Sequence, residues 1–449
     1  MLAHTALCVY QFYPFKGITM DIKAWLKEQM VSTEAYDADV LLASFLDEME
    51  KGLNGEASSL SMIPAYVDNE GVVPFQKSVA VIDAGGTNLR ICTAQFNETG
   101  EIELANFSKQ PMPGRDHEAG ADEFYRVLAD ALEPMKDEFD HIGFCFSYPA
   151  TITPEFDGRL LHWTKEIKIP ELVGSHIGEG LIHALEERGV AGKNVVILND
   201  TVAALLAGLA QGQVFNASSY VGFILGTGTN TAYVERNENI GKLDGYLHGG
   251  SQVINVESGG FAAFRRGPLD LKLDERSENP GGHVFEKSIS GVYMGAITLE
   301  LLQALASEQV FSASGGAALA IMKDLSTIHI DNLTADNGRD TGVLGSEAFT
   351  DSDRDIMKTV FTAVIDRAAL LTAVNISAVV IKSGSGQDPA RPVCVNIDGS
   401  TYYKTFGLAD KVQAHLGAML KVRGLHIRCI HVEDAPVVGA AIAGLTTFS

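Results

Sequence analysis

The sequence is short of positive charge. Lys and Arg number 34 against 57 Asp and Glu, a formal net charge of −23. So acidic a chain lacks the basic surface that neutralises phosphates, which excludes a nucleic-acid partner and disfavours an anionic membrane surface. Cysteine is scarce as well. Cys8, Cys92, Cys145, Cys394 and Cys429 are odd in number, widely spaced and never form C-x-x-C. That argues against disulfides or a zinc site and for buried thiols in a reducing, cytoplasmic compartment. The 12 histidines show no H-x-x-x-H or H-E-x-x-H spacing, so no metal-dependent hydrolase is indicated, and no G-x-S-x-G elbow occurs. No stretch reads as a membrane span. Residues 201–234 carry no charge, but Gln211, Gln213, Asn216 and several glycines interrupt them, so helix, loop and strand are expected there. The first 17 residues lack the basic start and cleavage site of a secretory signal, and residues 1–19 read as an extension.

What is present is an ordinary soluble composition, 46% hydrophobic and 20% charged, in 449 residues, which suggests two domains. Glycine is abundant, and one glycine turn occurs almost twice. Asp83-Ala84-Gly85-Gly86-Thr87-Asn88 is echoed by Leu225-Gly226-Thr227-Gly228-Thr229-Asn230. Each copy separates two apolar runs that read as strands, residues 79–82 and 89–94, then 220–225 and 231–234. Strand, glycine turn, strand is a hairpin, not the strand-to-helix turn of a dinucleotide fold. Without a Cβ in the way, backbone N–H groups there can close on an anion. Two such turns suggest the two halves of one phosphate clamp in an internally duplicated α/β protein. Asp83 beside a phosphate loop calls for a cation between them, so it reads as a Mg²⁺ ligand, directly or through water. Thr87 and Asn88 add neutral donors, and Arg90 can offset phosphate charge.

Between the two turns the pattern alternates. Helices are expected at residues 21–30, 34–52, 122–134 and 178–187, and strands at 77–96, 103–107, 141–146 and 194–198. A helix follows at 201–210, with Asp200 placed to cap it. Later come helices at 286–305, 352–374 and 435–445, strands at 377–381 and 393–397, and surface loops at 266–283 and 331–352. Asn199-Asp200-Thr201 therefore sits at the carboxyl end of a buried strand, where α/β proteins place ligands. A carboxylate there can accept a proton from an alcohol, or it can be a helix cap and nothing more. Ser147, Thr164, Lys165, Asn255, Glu257 and Glu286 supply donors and acceptors suited to a polyhydroxylated ligand. A site that pairs every hydroxyl rejects analogues lacking one.

In this order the segments resemble the hexokinases of the actin-like (RNase H-like) sugar-kinase fold. They are 82–90, 144–149, Trp163-Thr164-Lys165, 199–201, 226–230, 254–257 and Glu286-Lys287-Ser288-Ile289-Ser290-Gly291. The resemblance runs from about Lys77 to the C-terminus. It implies two lobes around an interdomain cleft: a small lobe of residues 77–198 with the helix 435–449, and a large lobe of 199–434 with the helices of 20–76. It implies transfer of the γ-phosphate of ATP, with Mg²⁺, to the 6-hydroxyl of glucose, with mannose or fructose as further acceptors, as the first step of hexose metabolism. Asp200 would be the general base. Ser147, Thr164, Lys165, Asn199, Asn230, Glu257 and Glu286 would hold the hexose, and Lys165 would also neutralise charge during transfer. Asp83, Gly85, Gly86, Thr87, Asn88, Arg90, Gly226, Thr227 and Gly228 would cradle the phosphates, with Asp398-Gly399-Ser400 beside the nucleotide. The chain departs from the pattern at Ser258-Gly259-Gly260-Phe261, where many hexokinases carry a tryptophan. It departs again at 433–440, which lacks the usual Gly-Ser-Gly-basic run. The second departure keeps a sugar-sensing protein with vestigial chemistry as the alternative; another actin-like ATPase, which would need no hexose ring of residues, is a third reading.

Overall fold

In the computed structural model the described residues are 20–67, 73–86, 88–164, 167–243 and 249–448. The expected extension at 1–19, together with Thr87 and Lys165, lies outside them.

Among the described residues thirteen strands form two large sheets and a small ribbon. In the first half, β2 (Ser78–Ala84), β3 (Asn88–Phe96) and β4 (Ile102–Pro111) run antiparallel in succession. β5 (His141–Phe146) then pairs parallel to β2, and β8 (Asn194–Leu198) parallel to β5. The ribbon is β6 (Ala150–Ile152) with β7 (Gly158–Leu160). The second half repeats the plan with β9 (Ser219–Leu225), β10 (Thr229–Arg236), β11 (Ser251–Asn255), β12 (Val393–Asp398) and β13 (Ile427–Ile430). The orders β4-β3-β2-β5-β8 and β11-β10-β9-β12-β13 match strand for strand. Duplication inferred from the two glycine turns thus extends to whole sheets. The second sheet gains one edge strand, β1 (Ile63–Pro64), paired antiparallel with β11.

The helices follow from apolar spacing and caps. α1 (Ile22–Glu28) starts on Asp21 and α2 (Ala38–Leu53) on Asp37, each carboxylate accepting from the first free N–H groups. α3 (Ala121–Leu132) and α4 (Ile177–Glu186) cover the first sheet through Phe124, Leu128 and Leu181. α5 (Asp200–Gln213) follows β8. α6 (Pro268–Glu275), α7 (Glu286–Ile289), α8 (Gly291–Ser307), α9 (Ala313–Ile321) and α10 (Thr327–Ala335) precede α11 (Asp351–Lys382). α12 (Ser400–Lys404) and α13 (Leu408–Lys421) lead to α14 (Ala435–Thr446), which has proline in its first turn, where no N–H is needed. α11 is long and apolar enough to cross a bilayer, but 89% of its most apolar window is buried inside the protein.

Five expectations change. Residues 377–381 are not a strand but the last turns of α11, apolar on every side because the helix is buried all round. The single helix expected at 286–305 is broken at Ser290, whose ψ of 159° is extended. The helix expected at 34–52 is a short 3₁₀ turn, Thr33–Ala35, followed by α2. The supposed loops 266–283 and 331–352 contain α6 and the end of α10. Asp200 does not cap α5: Asn199 does, accepting from Thr201 N at 2.9 Å, and Asp200 is the first helical residue.

α5 and α14 lie at the centre. α5 packs on β9, β10 and β12 of the second sheet, α14 on β2 and β5 of the first, and the two helices pack on each other. The crossing is built from small residues. A Cβ at Gly439 would lie 1.9 Å from Ala203 O, and where α14 meets the first sheet one at Gly143 of β5 would lie 1.8 Å from Ala440 O.

Candidate active site

β8 ends in the extended residue Asn199, and the chain turns directly into α5. Asp200 is thereby the first residue of α5, directly after Asn199, which lines a cleft between the sheets. The cleft is lined from the first half by Phe146 and Tyr148, from the second by Asn255 and Glu257, and at the junction by Asn199.

A web of amides and acids forms the second-half wall. Asn230, second residue of β10, donates through Nδ2 to Asn255 Oδ1 at 2.8 Å, and reaches Asn199 Oδ1 at 3.4 Å and Glu257 Oε1 at 3.5 Å. Its Oδ1 accepts from Thr231 N and Ser258 N. Asn255 Nδ2 donates to Glu257 Oε1 at 2.7 Å. Glu257 holds a left-handed φ of 57°, a strained conformation for a residue with a Cβ, which aims it off the end of β11. Burial pushes its carboxyl above the ordinary value. Asp200 and Glu286 add to the rise, while Asn255 and His283 oppose it. Glu286 opens α7 and accepts from Thr229 N at 2.9 Å, so the expected sugar contact also braces the second glycine turn. In the sequence Asn255 reads only as one polar group in the ring, and His283 carries no signal at all. Asn255 lies within the segment 254–257, but His283 has no local motif, and only the turn before α7 brings it in.

The first-half wall carries the other group. Ser147 is buried beyond the end of β5, and its N–H donates to Ala84 O beside the first glycine turn. Tyr148 stacks edgewise on Trp163, with centroids 4.8 Å apart, and its hydroxyl donates to Gly85 O at 2.7 Å. Thr164 follows Trp163, whose indole N–H is bound to Ile169 O.

Asp83 is 5% exposed, and burial raises its carboxyl. Arg90 pulls the other way, while Asp200, close enough to be felt, raises it further. Arg90 Nε donates to Asp83 at 2.7 Å and one Nη to Asp434 at 2.6 Å, so this half-buried guanidinium is engaged by two carboxylates. Cys145 is the register partner of Asp83 and wholly buried, so its thiol stays far above its ordinary value. Asn88 closes the first turn by accepting Gly85 N on its carbonyl. The second turn is clasped by the start of α8 and by α12. Gly226 O accepts from Gly291 N and from Thr401 Oγ1. A Cβ on Gly226 would lie 3.6 Å from Gly399 Cα, and Asp398 Oδ1 accepts Gly399 N. So 226–228, 398–400 and the start of α8 form one continuous rim. A Cβ on Gly228 would meet Glu286 Oε2 at 2.5 Å, so a side chain there would displace the carboxylate that holds Thr229 N.

Among the described residues, no three His, Cys, Asp or Glu side chains converge to hold a metal by themselves. Asp83, a buried oxygen donor beside the first glycine turn, suits a Mg²⁺ that keeps waters and rests mainly on substrate phosphates.

Duplicated five-strand sheets, exchanged helices and two glycine turns facing a carboxylate define a two-lobed phosphotransferase of the actin-like class. Family comparison gives the particular family. Models described as Hexokinase match residues 23–210 and 220–446. Hexokinase-9 of Oryza sativa subsp. japonica is 31% identical over 88% of this chain and 84% of its own. Glucokinase-1 of Kluyveromyces lactis is 30% identical over 89% and 93%. Among solved structures, a hexokinase of 25% identity superposes with a TM-score of 0.78, covering 95% of this chain and 99% of its own. The Schistosoma mansoni hexokinase complexed with glucose gives 0.76 at 23%, covering 94% and 98%. This chain belongs to the hexokinase family, and it phosphorylates a hexose with ATP.

Proposed function

We propose that the hexose is glucose and that Mg²⁺·ATP delivers its γ-phosphate to the 6-hydroxyl, with Asp200 as general base. The observation that carries this is the joining of Asn199, Asn230, Asn255 and Glu257 into one hydrogen-bonded wall with Asp200 at its foot. Amides and carboxylates in such a wall pair with successive hydroxyls, and the glucose complex of the Schistosoma relative supports the same occupant here. Ser147, Thr164, Lys165 and Glu286 complete the ring around the sugar. Asp200 takes the proton of the attacking hydroxyl. The turns at 85–88 and 226–228, with 398–400, hold the phosphates in line with it, so catalysis is mostly positioning and electrostatics. Asp83 holds Mg²⁺ through water or the phosphates, and the ion supplies charge neutralisation between them. We place the hinge of the two lobes, 77–198 with 435–449 and 199–434 with 20–76, at the α5–α14 crossing. Closure there excludes water, which competes with the sugar for the phosphate. The free thiols Cys92, Cys145, Cys394 and Cys429 support a cytoplasmic setting.

Asp200→Ala tests the assignment. ADP release with glucose, followed in a coupled assay, should fall by about 10²–10⁴, while calorimetry still detects glucose binding. Undiminished turnover would remove Asp200 from the role of base. Glucose binding without turnover in the unmodified protein would favour a sensor.

A further inference from the structure

Lys242 belongs to none of the motifs above. It follows Gly241 after β10, and its amine is turned onto the segment that enters the cleft. Nζ donates to Ser61 O at 2.9 Å and to Met62 O. Met62 has a φ of 48°, a left-handed conformation that is strained in a residue with a side chain. Immediately after it, Ile63, Pro64 and Ala65 line the cleft beside Tyr148 and Glu257. Ile63 is the register partner of Asn255, whose side chain holds Glu257 and Asn230. Besides the strand pairing itself, Met62 N to Val256 O and Ala65 N to Val253 O tie this stretch to β11 and its end.

We propose that Lys242 is a positioning residue for hexose binding: its amine ties down the strained Met62 turn, so that its protonation state sets affinity for the hexose and not for the nucleotide. The inference rests on reading the Asn255–Glu257 wall as the sugar site. Burial lowers this amine from its ordinary value to about 8, and no other cause acts on it. Charged groups on the surrounding elements are occupied or exposed. Glu48 binds Ser58, Ser59 and Lys51, Glu50 binds Lys382, and Glu235 binds Tyr233 and Asn239. Glu56 and Glu238 face solvent. A neutral amine still has two N–H groups, one for each carbonyl, and carries no buried charge. The fastened state therefore takes up a proton less readily than the released one, whose amine titrates in the usual lysine range. Fastening is opposed below about pH 8 and favoured as pH rises above it.

Three measurements test this. Calorimetry with glucose at pH 7 and pH 9 should show affinity rising by up to about tenfold, with the KM for ATP unchanged over that interval. Lys242→Met should bind glucose several-fold more weakly without a pH limb, and Lys242→Arg, permanently charged, should also lack the limb. Amide exchange at Met62 and Ala65 should quicken in Lys242→Met with no ligand present. Glucose affinity that is flat with pH in the unmodified protein, or an ATP KM that moves with it, overturns the proposal. Unchanged exchange in Lys242→Met overturns it even if no hexose binds at any pH, an outcome that would separately refute the sugar-site reading.

Discussion

Tyr148 shows how far one side chain can couple the two ends of the site. Its ring belongs to the aromatic packing under the proposed sugar pocket, and its hydroxyl holds Gly85 in the phosphate turn. Tyr148→Phe keeps the packing and removes one hydrogen bond worth about 1 kcal/mol. The KM for ATP should rise about fivefold while the KM for glucose changes little, which steady-state kinetics will show. Glu257 offers a second test at this scale. Its carboxyl is raised by burial and by two neighbouring acids, so it loses its charge at a higher pH than a free glutamate. If its ionised form accepts a sugar hydroxyl, glucose affinity should decline on acidification before the ordinary glutamate range is reached, and Glu257→Gln should abolish that decline. Asp83, Asp200 and Glu257 were legible as sequence because each adjoins a glycine turn or a strand end. His283 and Lys242 were not, since neither belongs to a motif; long-range pairing alone gives them their place.

Elements were readable where their apolar period was clean. The strands flanking both glycine turns, α3, α4 and α14 all follow from local pattern. Residues 377–381 misled because Ser-Ala-Val-Val-Ile is rich in β-branched side chains, whereas a helix buried on all faces needs no polar stripe. β1 was invisible: two residues ending in proline form a strand only because β11 lies alongside. The α5–α14 crossing is the most demanding contact in the fold. Gly439→Ala would press a Cβ against Ala203 O and should destabilise by about 1–3 kcal/mol or more in urea unfolding. Since the same contact is the proposed hinge, the turnover number should fall further than the loss of folded protein explains. A variant losing stability while retaining its full specific activity would place the hinge elsewhere.

At the scale of the molecule, sheet duplication was foreshadowed by the repeated turn, whereas the exchange of helices was implied only by the family resemblance, which set 435–449 with the first lobe and 199 onward with the second. No local signal says that α5 leaves its own sheet for the next. If the cleft closes on sugar, the radius of gyration from small-angle scattering should fall on adding glucose at fixed ionic strength. Glucose at 100 times its dissociation constant should also raise unfolding free energy by about 2.7 kcal/mol. An unchanged radius with that stabilisation present would mean binding without closure.

The reciprocal placement of α5 and α14 has a further consequence for how this chain can be divided. Severed in the 214–218 turn, neither fragment would own the cover for its sheet: the leading piece would expose the face that α14 shields, and the trailing piece the face that α5 shields. Each would be an insoluble orphan by itself, yet a mixture has every reason to reassemble, since each supplies the lid the other lacks. Two copies of one plan lie in tandem along the polypeptide, but they stand only as an indivisible pair.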